Sequence, residues 1–112
     1  MNIVVLGSTG SIGESTLEVV RRSNGYLKIV GLTAHNNREK LKAQAEEFSV
    51  TRTVLSSNKD SDQKIEDLVT AKDVDAVVVA IVGFAALRPT LKALEAGKRV
   101  ALANKETLVT CG

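Results

Sequence analysis

The sequence is poor in the groups that hold metals, close disulfides or draw nucleic acid. It has one cysteine, Cys111, and one histidine, His35. A lone cysteine cannot form an internal disulfide, so nothing calls for an oxidising compartment and a cytoplasmic setting is expected. One His and one Cys far apart also exclude a zinc site of nitrogen and sulfur ligands. The 15 Lys and Arg against 13 Asp and Glu leave a net charge of +2, too small a surplus to argue for nucleic acid. Arg21, Arg22, Lys98 and Arg99 read as solvated helix and strand ends. No apolar run reaches membrane-spanning length, and the first strand pattern starts at once, without a charged leader or cleavage signal, so neither anchor nor address is expected. The acids are scattered. Glu46 and Glu47 lie on a surface-helix pattern, Asp60 and Asp62 in a turn, and Asp73 and Asp75 ahead of a strand at the wrong edge, so each pair reads as a solvated face and no metal ligand is assigned.

What remains is an ordinary globular composition, 44% hydrophobic and 25% charged, in a 112-residue chain sized for one domain. The run Ile3, Val4, Val5, Leu6 reads as a strand and ends in Gly7-Ser8-Thr9-Gly10-Ser11-Ile12-Gly13, after which Leu17, Val19 and Val20 follow a helical pattern. A strand that hands over to a helix through a glycine-rich loop is a phosphate-binding arrangement, because free N–H groups and the helix dipole both favour an anion there. Ser8, Thr9 and Ser11 add hydroxyl donors. The spacing Gly-x-x-Gly-x-x-Gly is one residue longer at its start than the usual dinucleotide fingerprint. A glycine-rich turn without a ligand is the alternative.

Strand and helix patterns then alternate. Leu27 to Thr33 reads as a second strand, Arg38 to Phe48 as an amphipathic helix, Thr53 to Leu55 as a short strand, and Ile65, Leu68 and Val69 mark a further helix. Ala76 to Ala80 is apolar throughout, as in a strand buried on both faces. A helix that tolerates Pro89 in its first turn ends near Gly97, and Arg99 to Ala103 forms the fifth strand. This alternation predicts an α/β fold, a doubly wound parallel sheet forming a Rossmann-like dinucleotide-binding domain. Its ligand edge would gather residues 7–13, 34–37, 80–83 and 104–106.

After the second strand an NAD-binding domain usually has a carboxylate for the ribose hydroxyls. Thr33-Ala34-His35-Asn36-Asn37-Arg38 contains none. A 2′-phosphate there would meet neutral donors and the cation Arg38, which favours NADP(H) over NAD(H). An exposed turn made by His35 and the asparagines, with Arg38 as an ordinary first-turn residue, is the alternative. Beyond the fifth strand Asn104, Lys105 and Glu106 stand side by side. They suit a phosphate, a substrate hydroxyl or a nicotinamide ribose, or else a solvated helix start.

Gly7 to Gly13, Ala80-Ile81-Val82-Gly83 and Leu102-Ala103-Asn104-Lys105-Glu106-Thr107-Leu108-Val109, in that order, resemble the 1-deoxy-D-xylulose 5-phosphate reductoisomerase family over essentially the whole chain. The resemblance implies an NADPH-dependent oxidoreductase of the non-mevalonate isoprenoid pathway. Such an enzyme rearranges 1-deoxy-D-xylulose 5-phosphate and reduces the product to 2-C-methyl-D-erythritol 4-phosphate, assisted by Mg2+ or Mn2+. It further implies that Thr9, Gly10, Ser11 and Ile12 line the pyrophosphate, that Asn104 and Glu106 contact the cofactor, and that Lys105 reaches the substrate. In the second loop Asn37 matches the family pattern while His35 and Asn36 depart from it. There His35 would stack on adenine and Asn36 would replace a cation at the 2′-phosphate. Phe84 falls where a small residue is expected. Residues 1–112 are thus expected to be the NADPH-binding domain. The metal-binding and catalytic domain is expected after residue 112, so no catalytic residue is assigned here. The family forms homodimers through contacts that lie largely elsewhere. Alternatives are a free-standing NADP-binding module, or another NADP-dependent oxidoreductase such as a semialdehyde dehydrogenase.

Overall fold

The computed structural model describes residues 1–81, 86–103 and 108–111. Ten elements follow one another as β1 (Asn2–Leu6), α1 (Ser11–Arg22), β2 (Lys28–Ala34), α2 (Arg38–Glu47), β3 (Thr53–Leu55), α3 (Ser61–Thr70), β4 (Ala76–Val79), α4 (Leu87–Glu95), β5 (Arg99–Ala103) and β6 (Leu108–Cys111). They form one sheet in the order β3-β2-β1-β4-β5-β6, parallel from β3 to β5. The order reverses between β1 and β4, so the crevice at that switch point is the place where such sheets bind ligands. Beyond the expected five strands, β6 pairs antiparallel with β5. Only residues 104–107 lie between those two strands, and a parallel crossover needs a dozen or more.

Period-two alternation in β1 divides the core. Ile3 and Val5 pack with Leu17 and Val20 of α1 and Leu41 and Ala45 of α2. Val4 and Leu6 pack on the opposite face with Ile65, Leu68 and Val69 of α3 and Ala93 of α4. The sheet is therefore covered on both faces, which explains the uninterrupted apolar run of β4, buried at all four positions. Val19, by contrast, is 49% exposed. Between Ile3 and Val4 the pairing partner jumps from Ile29 to Gly31. That slip lets Ile29 and Leu32 face the same way although they are three residues apart. At the end of α4, Gly97 takes φ +79° and Lys98 N–H donates to Ala93 O, a left-handed cap as the sequence suggests. No helix among the described residues is long and apolar enough to cross a membrane.

Candidate functional site

The chain leaves β1 through Gly7, whose φ is +81°. A Cβ there would lie 2.6 Å from Ile81 Cγ2 and 3.1 Å from Ala80 O, so the turn passes directly against the end of β4. Gly7 N–H and Ser8 N–H both donate to Thr33 O, at 3.0 and 2.9 Å, and tie the loop to β2. Thr33 Oγ1 accepts a second bond from Gly7 N–H at 3.1 Å. Ser8 does not face a ligand. It is fully buried, its hydroxyl donates to Gln44 Oε1 at 2.7 Å, and Gln44 Nε2 returns a bond to Ser8 O at 2.9 Å. This hydroxyl braces the loop onto α2 and is lost to the phosphate role expected for it.

α1 starts at Ser11, three residues earlier than the pattern after Gly13 suggests, so Gly13 lies within its first turn. A Cβ on Gly13 would collide with Gly7 O and come within 2.6 Å of Ser8 Cα, both backbone atoms, so only glycine allows the helix to sit this close to the loop. The helix is capped by Gly10, which has no side chain to offer, and its first bond is Glu14 N–H to Gly10 O at 2.9 Å. The N–H groups of Ser11, Ile12 and Gly13 thus have no acceptor among the described residues. Gly10 and Ser11 are exposed, while Thr9 and Ile12 are half-buried. Glu14 would oppose an anion here, but its carboxylate is paired with Lys40 at 2.8 Å.

The second loop extends the same edge. His35 is exposed, with Nδ1 3.1 Å from Ser56 Oγ, and its carbonyl accepts from Ser57 N–H at 3.0 Å. Asn36 and Asn37 are also exposed. Asn37 caps α2 by accepting from Lys40 N–H at 3.2 Å, which commits its oxygen and leaves its amide N–H groups for a ligand. Arg38 opens α2, exposed and without an ion-pair partner among the described residues; Glu39 follows it in the same turn.

A cleft of about 640 Å³ joins these segments to the end of β4 on the α3–α4 side, with Leu6, Thr33, His35 and Ile81 in its wall. Its far side carries a bidentate pair, Arg88 of α4 with Glu66 of α3, at 2.9 and 3.4 Å. Asp62 is not in a turn. It lies in the first turn of α3 and lines this cleft. Three further acids are engaged elsewhere. Asp73 pairs with Arg52 at 2.8 Å, Asp75 accepts from Asn2 N–H at 2.7 Å, and Glu47 pairs with Arg21 at 2.5 Å. Hydrogen bonds from Arg21 hold Glu47 and Glu18 below the usual carboxylate range, and Arg52 does the same to Asp73. Arg21 also sits 5.4 Å from the centre of the Phe48 ring. No group of three or more His, Cys, Asp or Glu suited to a metal exists among the described residues.

The site thus brings together Thr9, Gly10, Ser11 and Ile12 with His35, Asn36 and Asn37 at one sheet edge. Asn104, Lys105 and Glu106, and likewise Gly83 and Phe84, lie outside the described residues. Sequence reasoning missed the Gln44 brace, although Leu41, Gln44, Ala45 and Phe48 share one helical face and a glutamine among apolar neighbours was a readable signal. It also missed Glu66 and Arg88, whose pairing joins two helices.

The family model for 1-deoxy-D-xylulose 5-phosphate reductoisomerase matches residues 3–65 and 59–112, two segments that overlap at the start of α3. The reductoisomerase of Nautilia profundicola is 46% identical over 121 residues, covering 98% of this chain and 32% of that protein. That of Geotalea uraniireducens is 44% identical over 128 residues, covering 98% and 33%. Among solved structures, the reductoisomerase from Zymomonas mobilis in complex with NADPH superposes with a TM-score of 0.74 at 34% identity, over 94% of this chain and 32% of that one. A DOX-P reductoisomerase in complex with NADPH, fosmidomycin and magnesium gives 0.80 at 36%, over 95% and 30%. The chain spans about a third of the length of the curated relatives it matches. With a match along nearly its whole length, the chain belongs to the 1-deoxy-D-xylulose 5-phosphate reductoisomerase family.

Proposed function

We propose that this chain is the NADPH-binding portion of an enzyme that rearranges 1-deoxy-D-xylulose 5-phosphate and reduces it to 2-C-methyl-D-erythritol 4-phosphate. The observation that carries the reading is the N-terminus of α1, where the N–H groups of Ser11, Ile12 and Gly13 lack acceptors among the described residues, behind a side-chain-free cap. Three unsatisfied donors and a helix dipole at a topological switch point suit a pyrophosphate. In this reading Thr9, Gly10, Ser11 and Ile12 hold the pyrophosphate. His35, Asn36 and the free amide of Asn37 flank the adenosine, and Arg38 supplies the positive charge for the 2′-phosphate.

Asn104 and Glu106 are proposed at the cofactor and Lys105 at the substrate, on the strength of the family pattern. NADPH supplies the hydride; the residues of this chain bind and orient it. No cluster of three or more candidate ligands for the divalent cation is found among the described residues, and its ligands and most substrate contacts are proposed to lie in a further catalytic domain, residues 1–112 forming the cofactor domain. A homodimer working in the cytoplasm, without membrane or nucleic-acid partners, completes the proposal.

Calorimetric titration with NADPH and NADH tests it. A guanidinium facing the 2′-phosphate makes NADPH bind about tenfold more tightly or better, since charge-assisted hydrogen bonds are worth roughly 1.5–3 kcal/mol. Equal affinities would overturn the NADPH preference, and binding of neither would overturn the reading.

A further inference from the structure

The cleft beside the second loop contains an ion pair that pyrophosphate and 2′-phosphate binding leave unused. Glu66 is 9% exposed, whereas the Arg88 side chain is 65% exposed. Arg88 Nε donates to Glu66 Oε1 at 2.9 Å and Nη2 donates to Oε2 at 3.4 Å. Two parallel bonds from a planar fork to a buried carboxylate fix the plane of the guanidinium, and its exposure leaves a face open.

The surroundings are apolar, with Leu6, Ile65, Ile81 and Pro89 lining the same cleft as Arg88 and His35. The charge balance argues against an anion here. Arg88 is already neutralised by Glu66, and Asp62 adds a carboxylate with no ion-pair partner among the described residues. A phosphate in this cleft would meet two carboxylates and one satisfied cation. A flat, electron-rich heteroaromatic ring would meet an apolar floor, an imidazole and an oriented guanidinium.

We propose that Arg88, held flat by Glu66, is a stacking platform for the adenine ring of the bound dinucleotide, and so determines specificity for the base while Arg38 determines it for the 2′-phosphate. The assignment rests on the NADPH reading above. Glu66 is a positioning residue, acting through Arg88.

The test is titration of the 112-residue chain with NADPH and with NADH, using Arg88→Lys and the double variant Glu66→Gln with Arg88→Leu. The double variant removes the Glu66 carboxylate together with its cation, so no buried charge is left unpaired at the α3–α4 contact, and Arg88→Lys keeps a charge opposite Glu66 should the double variant fail to fold. Loss of the planar cation is expected to weaken both nucleotides about tenfold, leaving their affinity ratio unchanged, with lysine failing to rescue. Thermal unfolding without ligand separates this from loss of fold. Full rescue by lysine, or a loss confined to NADPH, would make Arg88 a phosphate contact and overturn the proposal. Wild-type affinity in the double variant would also overturn it while leaving the NADPH reading intact, whereas failure of the wild-type chain to bind either nucleotide would remove that reading itself.

Discussion

Replacing Gln44 by alanine strikes the glycine loop from behind, without touching any atom that faces solvent at the site. Ser8 is 0% exposed and Gln44 6%. The carboxamide accepts from Ser8 Oγ at 2.7 Å and donates to Ser8 O at 2.9 Å. Without it, Ser8 Oγ retains only Thr33 O, at 3.4 Å, among the described residues, and Ser8 O loses the donor Gln44 supplied. Each buried polar group left unsatisfied costs about 1–3 kcal/mol, so the pair of losses comes to roughly 2–6 kcal/mol. That is a large part of the roughly 5–15 kcal/mol that holds a domain folded. At about 4 °C per kcal/mol for a chain of this size, Tm falls by roughly 8–24 °C, read by circular dichroism on heating. NADPH affinity falls with it, because Ser8 fixes the loop from which α1 emerges. A Gln44→Ala chain that melts within a degree or two of wild type would refute the brace.

Gly13→Ala puts a methyl onto Gly7 O and Ser8 Cα, backbone atoms that cannot rotate aside. It is expected to cost about 3 kcal/mol by overpacking and to weaken NADPH at least about tenfold as α1 lifts, checked by melting and titration; unchanged affinity would refute the close helix–loop packing. Acid should destabilise the fold modestly. Glu18, Glu47 and Asp73 titrate below their usual values because of Arg21 and Arg52, so the stability they add is present above the unfolded carboxylate range near pH 4 and disappears as pH falls through their lower folded values. These pairs are exposed, so denaturant melts at pH 6 and 3 should show a small loss that shrinks in high salt; a gain in stability on acidification would contradict it.

The layered fold was legible because the strand patterns are unusually apolar and glycines mark the turns. Ile3 to Leu6 announces a strand and Ala76 to Val79 one buried on both faces, and Gly97 takes the left-handed cap conformation that its position suggested. The start of α1 was not legible, because Gly10 carries no capping side chain to mark Ser11, rather than Glu14 after the last glycine, as the first helical residue. Ser8 was misread for a different reason. A hydroxyl in a glycine-rich loop looks the same whether it turns outward to a ligand or inward to the fold, and its fate depends on Gln44, 36 residues away. Asp62 and the Glu66–Arg88 pair came from the same kind of long-range placement, set by how α3 and α4 sit beside each other over the sheet.

The central claim, that the N-terminus of α1 grips the pyrophosphate of NADPH, is tested most directly by amide NMR of the 15N-labelled chain during NADPH titration. The account predicts that the Ser11, Ile12 and Gly13 amide protons, which lack acceptors among the described residues, move downfield together with shifts at residues 35–38. Saturable binding with those amides unmoved, and the largest shifts elsewhere, would contradict it.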